Sequence, residues 1–169
     1  MKTTTKFLAS AVAAAAIFFT TNVNAQSNLG IGVNIGAPTE SKYSFGIGAD
    51  IRYQINTSKQ LSIPITTGYS HFLGKELVTG FQQPDYGYIP VKAGLKYFFN
   101  PTGSGLYGLA EAGAAFGVTE DSGTSFVYSP AVGYAWSNGL DLGVKYEGMA
   151  RTLNNTDHVA LRIAYGFKL

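Results

Sequence analysis

The chain contains no cysteine, so no disulfide framework holds it and no thiolate site serves it. Its two histidines, His71 and His158, are too few without cysteine for a transition-metal centre. Charge is scarce: Asp, Glu, Lys and Arg make up 13% of the residues, against roughly 25% in soluble domains. Long apolar runs are scarce as well. The longest, from Leu8 to Phe19 and broken only by Ser10, is shorter than the roughly 20 residues of a membrane-crossing helix. It follows Lys2 and Lys6 and precedes Val23-Asn24-Ala25, the three-part pattern of a secretory signal peptide. Cleavage is expected after Ala25, leaving residues 26–169 as one exported domain. Two of the twelve basic residues lie in that leader, so the remainder balances its ten acidic ones and offers no basic face for nucleic acid.

What is present favours strands. The chain has 21 glycines, 11 tyrosines and 11 phenylalanines, a mix suited to strands and turns and poor for helices. Period-two alternation recurs from residue 28 to the last residue and predicts eight strands, near 28–36, 43–55, 61–71, 86–99, 106–117, 126–136, 140–149 and 159–169. The final strand, "VALRIAYGFKL", alternates up to Leu169 where most chains fray. Links after the second, fourth and sixth strands are short: "NTSKQ", "NPTGSG" and "SNG". Links at 72–85, 118–125 and 150–157 are longer or more charged. Pro64, Pro90 and Pro130 fall inside these strands and are expected near strand ends or bulges, because proline cannot donate to a ladder.

Alternation alone does not say which face is inside. One face of each strand carries Ile, Leu, Val, Tyr and Phe. The other is rich in Gly, Ala and Ser and carries the charges Asp50, Arg52, Lys92, Lys96, Glu111, Asp141, Lys145, Glu147, Arg162 and Lys168. A soluble barrel would cover its outside with long polar side chains. Small residues instead suit the cramped inside of a narrow barrel, and large apolar ones suit lipid. Charges facing the bilayer middle would cost about 2–4 kcal/mol for each Lys or Arg. Facing inward, they can pair across the lumen. Lipid also demands that every backbone group be paired, which closes the strands into a barrel. The expected fold is all-β: an eight-stranded antiparallel up-and-down transmembrane β-barrel. Aromatics near both strand ends read as interfacial girdles: Tyr53, Tyr97, Phe99, Trp136 and Phe167 at the turn end, and Tyr43, Phe45, Tyr69, Phe116, Phe126 and Tyr128 at the loop end.

On these patterns, with "YIPVKAGLKYFFNPTGSGLYGLAEAGAAFG" read as a central hairpin, residues 26–169 resemble the small outer-membrane β-barrel family of Gram-negative bacteria, the OmpX-like and OmpA-transmembrane-like proteins. The resemblance implies an outer-membrane location in contact with lipid. It also implies a C-terminal strand read by the barrel assembly machinery. Tyr165 and Phe167 match that signal, while Leu169 stands where the family usually ends in an aromatic residue.

Sharp chemical motifs are lacking. Ser70 and His71 are adjacent in "YSHF", but neighbouring strand residues point to opposite faces and cannot pair directly. "VTEDSGTS" lacks the spaced ligands of a calcium loop. The glycines of "GIGVNIG" open no βα unit and so bind no dinucleotide. No catalytic residue, metal or cofactor is expected. The nine charges Asp50, Arg52, Lys92, Lys96, Glu111, Asp141, Lys145, Glu147 and Arg162 are expected to form a lumen network that fills the barrel. The expected role is structural, or surface interaction by a monomer through the loops 72–85, 118–125 and 150–157. Three rivals remain: a narrow channel or carrier, a lipid-modifying membrane enzyme, and a soluble lipocalin-like barrel.

Overall fold

The computed structural model describes residues 27–78, 81–119, 123–150 and 157–169. The expected leader, 1–25, lies outside the described residues, as do 79–80, 120–122 and 151–156 within the expected loops. Among the described residues ten strands are formed: β1 (Ser27–Pro38), β2 (Tyr43–Asn56), β3 (Leu61–Gly74), β4 (Glu76–Val78), β5 (Phe81–Gln82), β6 (Tyr86–Phe98), β7 (Gly105–Gly117), β8 (Thr124–Ala135), β9 (Leu140–Ala150) and β10 (His158–Lys168). Eight of them close a barrel in the order β1-β10-β9-β8-β7-β6-β3-β2, with every pairing antiparallel. β4 and β5 make a separate two-stranded ribbon in the link between β3 and β6. Closure ties β1 to β10 from Asn28↔Lys168 to Pro38↔His158. The final strand therefore alternates to its end because it is a wall strand and not a tail.

The loop boundaries differ from the expected ones. β3 continues to Gly74, so Phe72, Leu73 and Gly74 belong to the wall, and the ribbon takes up part of what was expected as the loop 72–85. Pairing of Phe72 and Leu73 with Gly46 and Phe45 of β2 carries the strand past its apparent end. Likewise Thr124 and Ser125 pair with Phe116 and Ala115, and Ala150 pairs with Phe126, trimming the expected loops 118–125 and 150–157. Tyr43 is also re-aimed. The register of β2 against β3 shifts between Tyr43 and Phe45, and this irregularity flips the face of Tyr43. Its ring lies 5.8 Å from that of the buried Phe72, so Tyr43 packs against the interior and leaves the expected loop-end girdle.

No proline sits at a bulge, and Pro130 lies mid-strand in β8. Pro64, Pro90 and Pro130 sit within β3, β6 and β8, and none causes a register shift. The β3–β6 ladder instead skips from Ser62↔Lys96 to Ile65↔Ala93 and from Thr67↔Val91 to Ser70↔Tyr88. The β8–β9 ladder skips from Tyr128↔Gly148 to Ala131↔Lys145. Each proline withholds one donor from one neighbour. The partner on its other side keeps the register.

Links at one end are tight. Gly103 and Gly139 turn the chain with φ of 75° and 97°, values that favour glycine. Trp136 donates its N–H to the Leu140 carbonyl at 2.7 Å across the last of these turns. Both ends of the barrel chain meet at this same turn end, where the Leu169 N–H donates to the Ser27 carbonyl at 2.8 Å. Along the strands the parity is consistent. Ile31, Val33, Ile35, Leu95, Val132, Val144 and Ile163 face outward and remain exposed, while residues of opposite parity are buried in the barrel. Inside, Phe72, Tyr86, Tyr88, Ala115, Val127 and Met149 pack together at the loop end. Phe98, Tyr107 and Leu109 do so toward the turn end.

Candidate functional site

Between these two apolar clusters the interior is ionic. Inward parity on β2 supplies Asp50 and Arg52; β6 supplies Lys92 and Lys96; β7 supplies Glu111; β9 supplies Asp141, Lys145 and Glu147; and β10 supplies Arg162. All nine side chains are buried. Four of their pairs, Arg52–Glu111, Lys92–Glu147, Lys96–Asp141 and Arg162–Asp50, join strands that are not neighbours and so cross the lumen, while Lys92–Glu111, Arg162–Asp141 and Lys145–Glu147 run along the wall.

Two connected chains of ion pairs result. In the first, Glu147 is shared by Lys92, at short hydrogen-bond distance, and by Lys145 at 3.2 Å. Lys92 also lies 4.0 Å from Glu111, which pairs with the Arg52 guanidinium at 3.1 Å. In the second, Arg162 grips Asp50 in a two-pronged contact, Nε to Oδ2 at 2.9 Å and Nη2 to Oδ1 at 2.6 Å. Arg162 also approaches Asp141 at 3.8 Å, and Asp141 pairs with Lys96 at 2.8 Å. Arg162 can lie across β1 because Gly32 is there: a Cβ at Gly32 would come within 2.9 Å of Arg162 Nη2.

Uncharged partners complete the carboxylates. The Tyr88 hydroxyl donates to Glu147 at 2.5 Å, Thr66 to Glu111 at 2.5 Å, Tyr107 to Asp141 at 2.7 Å and the Asn34 amide to Asp50 at 2.7 Å. Arg52 Nε donates to the Thr66 oxygen at 3.0 Å. The Lys96 ammonium sits 3.9 Å above the Tyr107 ring, a cation–π contact. Sequence reasoning did not single out Asn34, Thr66, Tyr88 and Tyr107. The available signal was their parity, since each falls on the face opposite its strand's large outward apolar residues.

A second polar group lies on the outer surface near the loop end. His71 Nε2 is 3.2 Å from Asp85 Oδ2, and His71 Nδ1 is 3.1 Å from the Tyr69 hydroxyl. Asp85 Oδ1 accepts the Gly74 N–H at 2.8 Å. That backbone donor, with the His71 contact, holds the Asp85 carboxyl below the ordinary aspartate range. Ser70 takes the opposite course: it is buried on the inner face. Tyr165 and Phe167 face outward at the turn end with rings 5.0 Å apart, and Leu169 is exposed beside them.

No protein-family model and no curated protein matches the chain in sequence. Solved structures do match it. The outer-membrane protein Ail of Yersinia pestis, in a phospholipid nanodisc, is 18% identical, over 85% of this chain and 100% of that one, with a TM-score of 0.63. The N-terminal β-barrel domain of Pseudomonas aeruginosa OprF is 15% identical over 85% and 100%, with a TM-score of 0.59. Neisserial surface protein A is 16% identical over 83% and 94%, with a TM-score of 0.55. The chain has the fold of the small outer-membrane β-barrels. In such a barrel, strands alone cross the bilayer, and the outward apolar faces described above form the lipid-facing band. Identities this low carry the fold, and the side chains inside are this chain's own.

Proposed function

We propose that the protein is an integral barrel of the bacterial outer membrane, exported by its N-terminal leader and closed inside by its own side chains. Its role is structural, or lies in contacts made by the links following β3, β7 and β9, and it is not catalytic. One observation carries the reading. The outward face is apolar while ion pairs cross the interior, an arrangement that is costly in water on the outside and in lipid if reversed. The crossing pairs and the aromatic cluster of Phe72, Tyr86 and Tyr88 support a lumen closed to ions. The opposed faces of Ser70 and His71 favour a non-enzymatic role, because no direct nucleophile–base pair forms there. A surface role is supported by a structure of Ail in complex with the heparin analogue sucrose octasulfate. Membrane lipid, and the assembly machinery through Tyr165, Phe167 and Leu169, are the partners this reading requires.

The test is fractionation combined with gel mobility and conductance. The protein is expected in the outer-membrane fraction, to migrate differently in SDS before and after boiling, and to give no steady single-channel current in a planar bilayer. Recovery in the soluble periplasm would overturn the membrane reading. A steady current would overturn the closed lumen.

A further inference from the structure

The turn end of the lumen is not filled. A cavity of about 520 Å³ opens there, with Lys168 and the turns at 102–104 and 136–139 around its mouth and Arg52, Lys96, Asp141 and Arg162 at its inner end. Its charged lining is four cations against one carboxylate.

Ion pairs compensate most of this charge and leave the network with one cation in excess. The second chain of ion pairs is balanced: Asp50 and Asp141 against Arg162 and Lys96. The first is not. It holds Lys145, Lys92 and Arg52 against only Glu147 and Glu111, and Glu147 is divided between two lysines. That chain therefore carries one positive charge in excess, and its member at the cavity is Arg52. There Nε and Nη2 have partners, and Nη1, itself buried, has none. An unpaired buried guanidinium nitrogen is costly, and a net cationic network in a low-dielectric interior attracts a counter-anion. Arg52 is 5% exposed and lines the cavity.

We propose that this cavity binds a small soluble oxyanion of the phosphate class, entering from the turn end and held by Arg52, Lys96, Arg162 and Lys168. Short turns of such barrels face the periplasm, so the anion is drawn from that side. Separate N–H donors set around the cavity suit an anion with several oxygens better than chloride, because each donor can meet its own oxygen. The wall strands enclose the inner end, which favours a free anion over a lipid headgroup tethered to its acyl chains. The proposal goes beyond the closed-lumen reading and fails separately from it: conductance tests that reading, and equilibrium binding tests this one.

The experiment is calorimetric titration of the full membrane-extracted barrel, in an uncharged detergent, with sodium phosphate and with sodium chloride at matched ionic strength. Saturable binding of one phosphate per barrel is expected, with no matching heat from chloride. Lys168→Glu and Gln54→Glu place a carboxylate on the cavity wall without removing any member of the ion-pair chains. Each is expected to weaken phosphate roughly three- to tenfold, as one or two unit charges within the cavity would. Boiling-dependent gel mobility checks that both variants remain closed barrels. Heats equal for phosphate and chloride would overturn the proposal, as would an affinity unchanged in both variants. Loss of phosphate binding when phosphatidylglycerol is mixed into the detergent would overturn the soluble source in favour of a lipid headgroup.

Discussion

Glu147→Ala removes the one fully buried carboxylate that serves two lysines. Glu147 accepts hydrogen bonds from Lys92, Lys145 and Tyr88. Without it, Lys92 retains only the 4.0 Å approach to Glu111, and Lys145 loses the one ion pair described for it. Breaking a buried pair by removing one partner costs about 3–5 kcal/mol, because it leaves an uncompensated charge in a poorly solvated interior. With a urea dependence of about 2 kcal/mol per molar, the unfolding midpoint should fall by roughly 2 M. The assay is urea unfolding of the refolded barrel in detergent micelles, followed by fluorescence of Trp136. This is the chain's single tryptophan, and it lies exposed on the outer wall at the turn end. Glu147→Gln keeps an acceptor for Tyr88 and should lose less. Replacing the whole group by Lys92→Met, Lys145→Met and Glu147→Leu should return the stability to within about 1 kcal/mol of the parent, since removing charges together avoids the orphan. A Glu147→Ala midpoint within about 0.5 M of the parent, or about 1 kcal/mol, would refute the reasoning. It would mean that the lysines are hydrated and that the middle of the barrel is wet.

Three further expectations are independent of that network. Val144→Arg places a cation on the outward face mid-strand and should cost about 2–4 kcal/mol in lipid vesicles by equilibrium unfolding; a negligible cost would indicate that this face meets water. Gly48→Ala should destabilise the barrel measurably, because its Cβ would lie 2.8 Å from the Tyr69 carbonyl oxygen, whereas Gly30→Ala, with nothing nearer than 3.7 Å, should not; denaturant midpoints compare them. The folded pKa of Asp85 is depressed, so its contribution is present above the unfolded value of about 3.9 and is lost only as pH falls through the lower folded value. Slow exchange of the Gly74 amide should therefore persist at pH 4 and disappear under stronger acid, and Asp85→Asn should abolish that acid transition.

Much of the wall was legible because strand parity is a local property. Residues two apart share a face, so Asp50 with Arg52, or Asp141 with Lys145 and Glu147, can be grouped without knowing any neighbour. The turns at 57–60 and 136–139 announce themselves through polar and glycine residues. Ends were less legible. The loop-end boundary of β3 depends on pairing of Phe72 and Leu73 with β2, and the side taken by Tyr43 depends on an irregularity in that ladder. The prolines misled for a related reason. Whether a missing donor can be absorbed depends on which neighbour loses it, and the ladders absorb it by skipping rungs without shifting.

The sequence by itself determined the alternating faces, the number of wall strands and the scarcity of charge that makes an apolar exterior possible. Only the tertiary structure decided who meets whom inside. Arg162 finds Asp50 across 112 positions of chain, and Arg52 finds Glu111 on a strand that is not its neighbour. The ion-pair tally, with one cation in excess and an unpaired Arg52 nitrogen at the turn-end cavity, exists only after the barrel closes. The physical reason is one of range. Backbone geometry fixes a side chain's face within two residues, whereas its partner across the lumen is set by strand order and stagger, and local sequence carries neither.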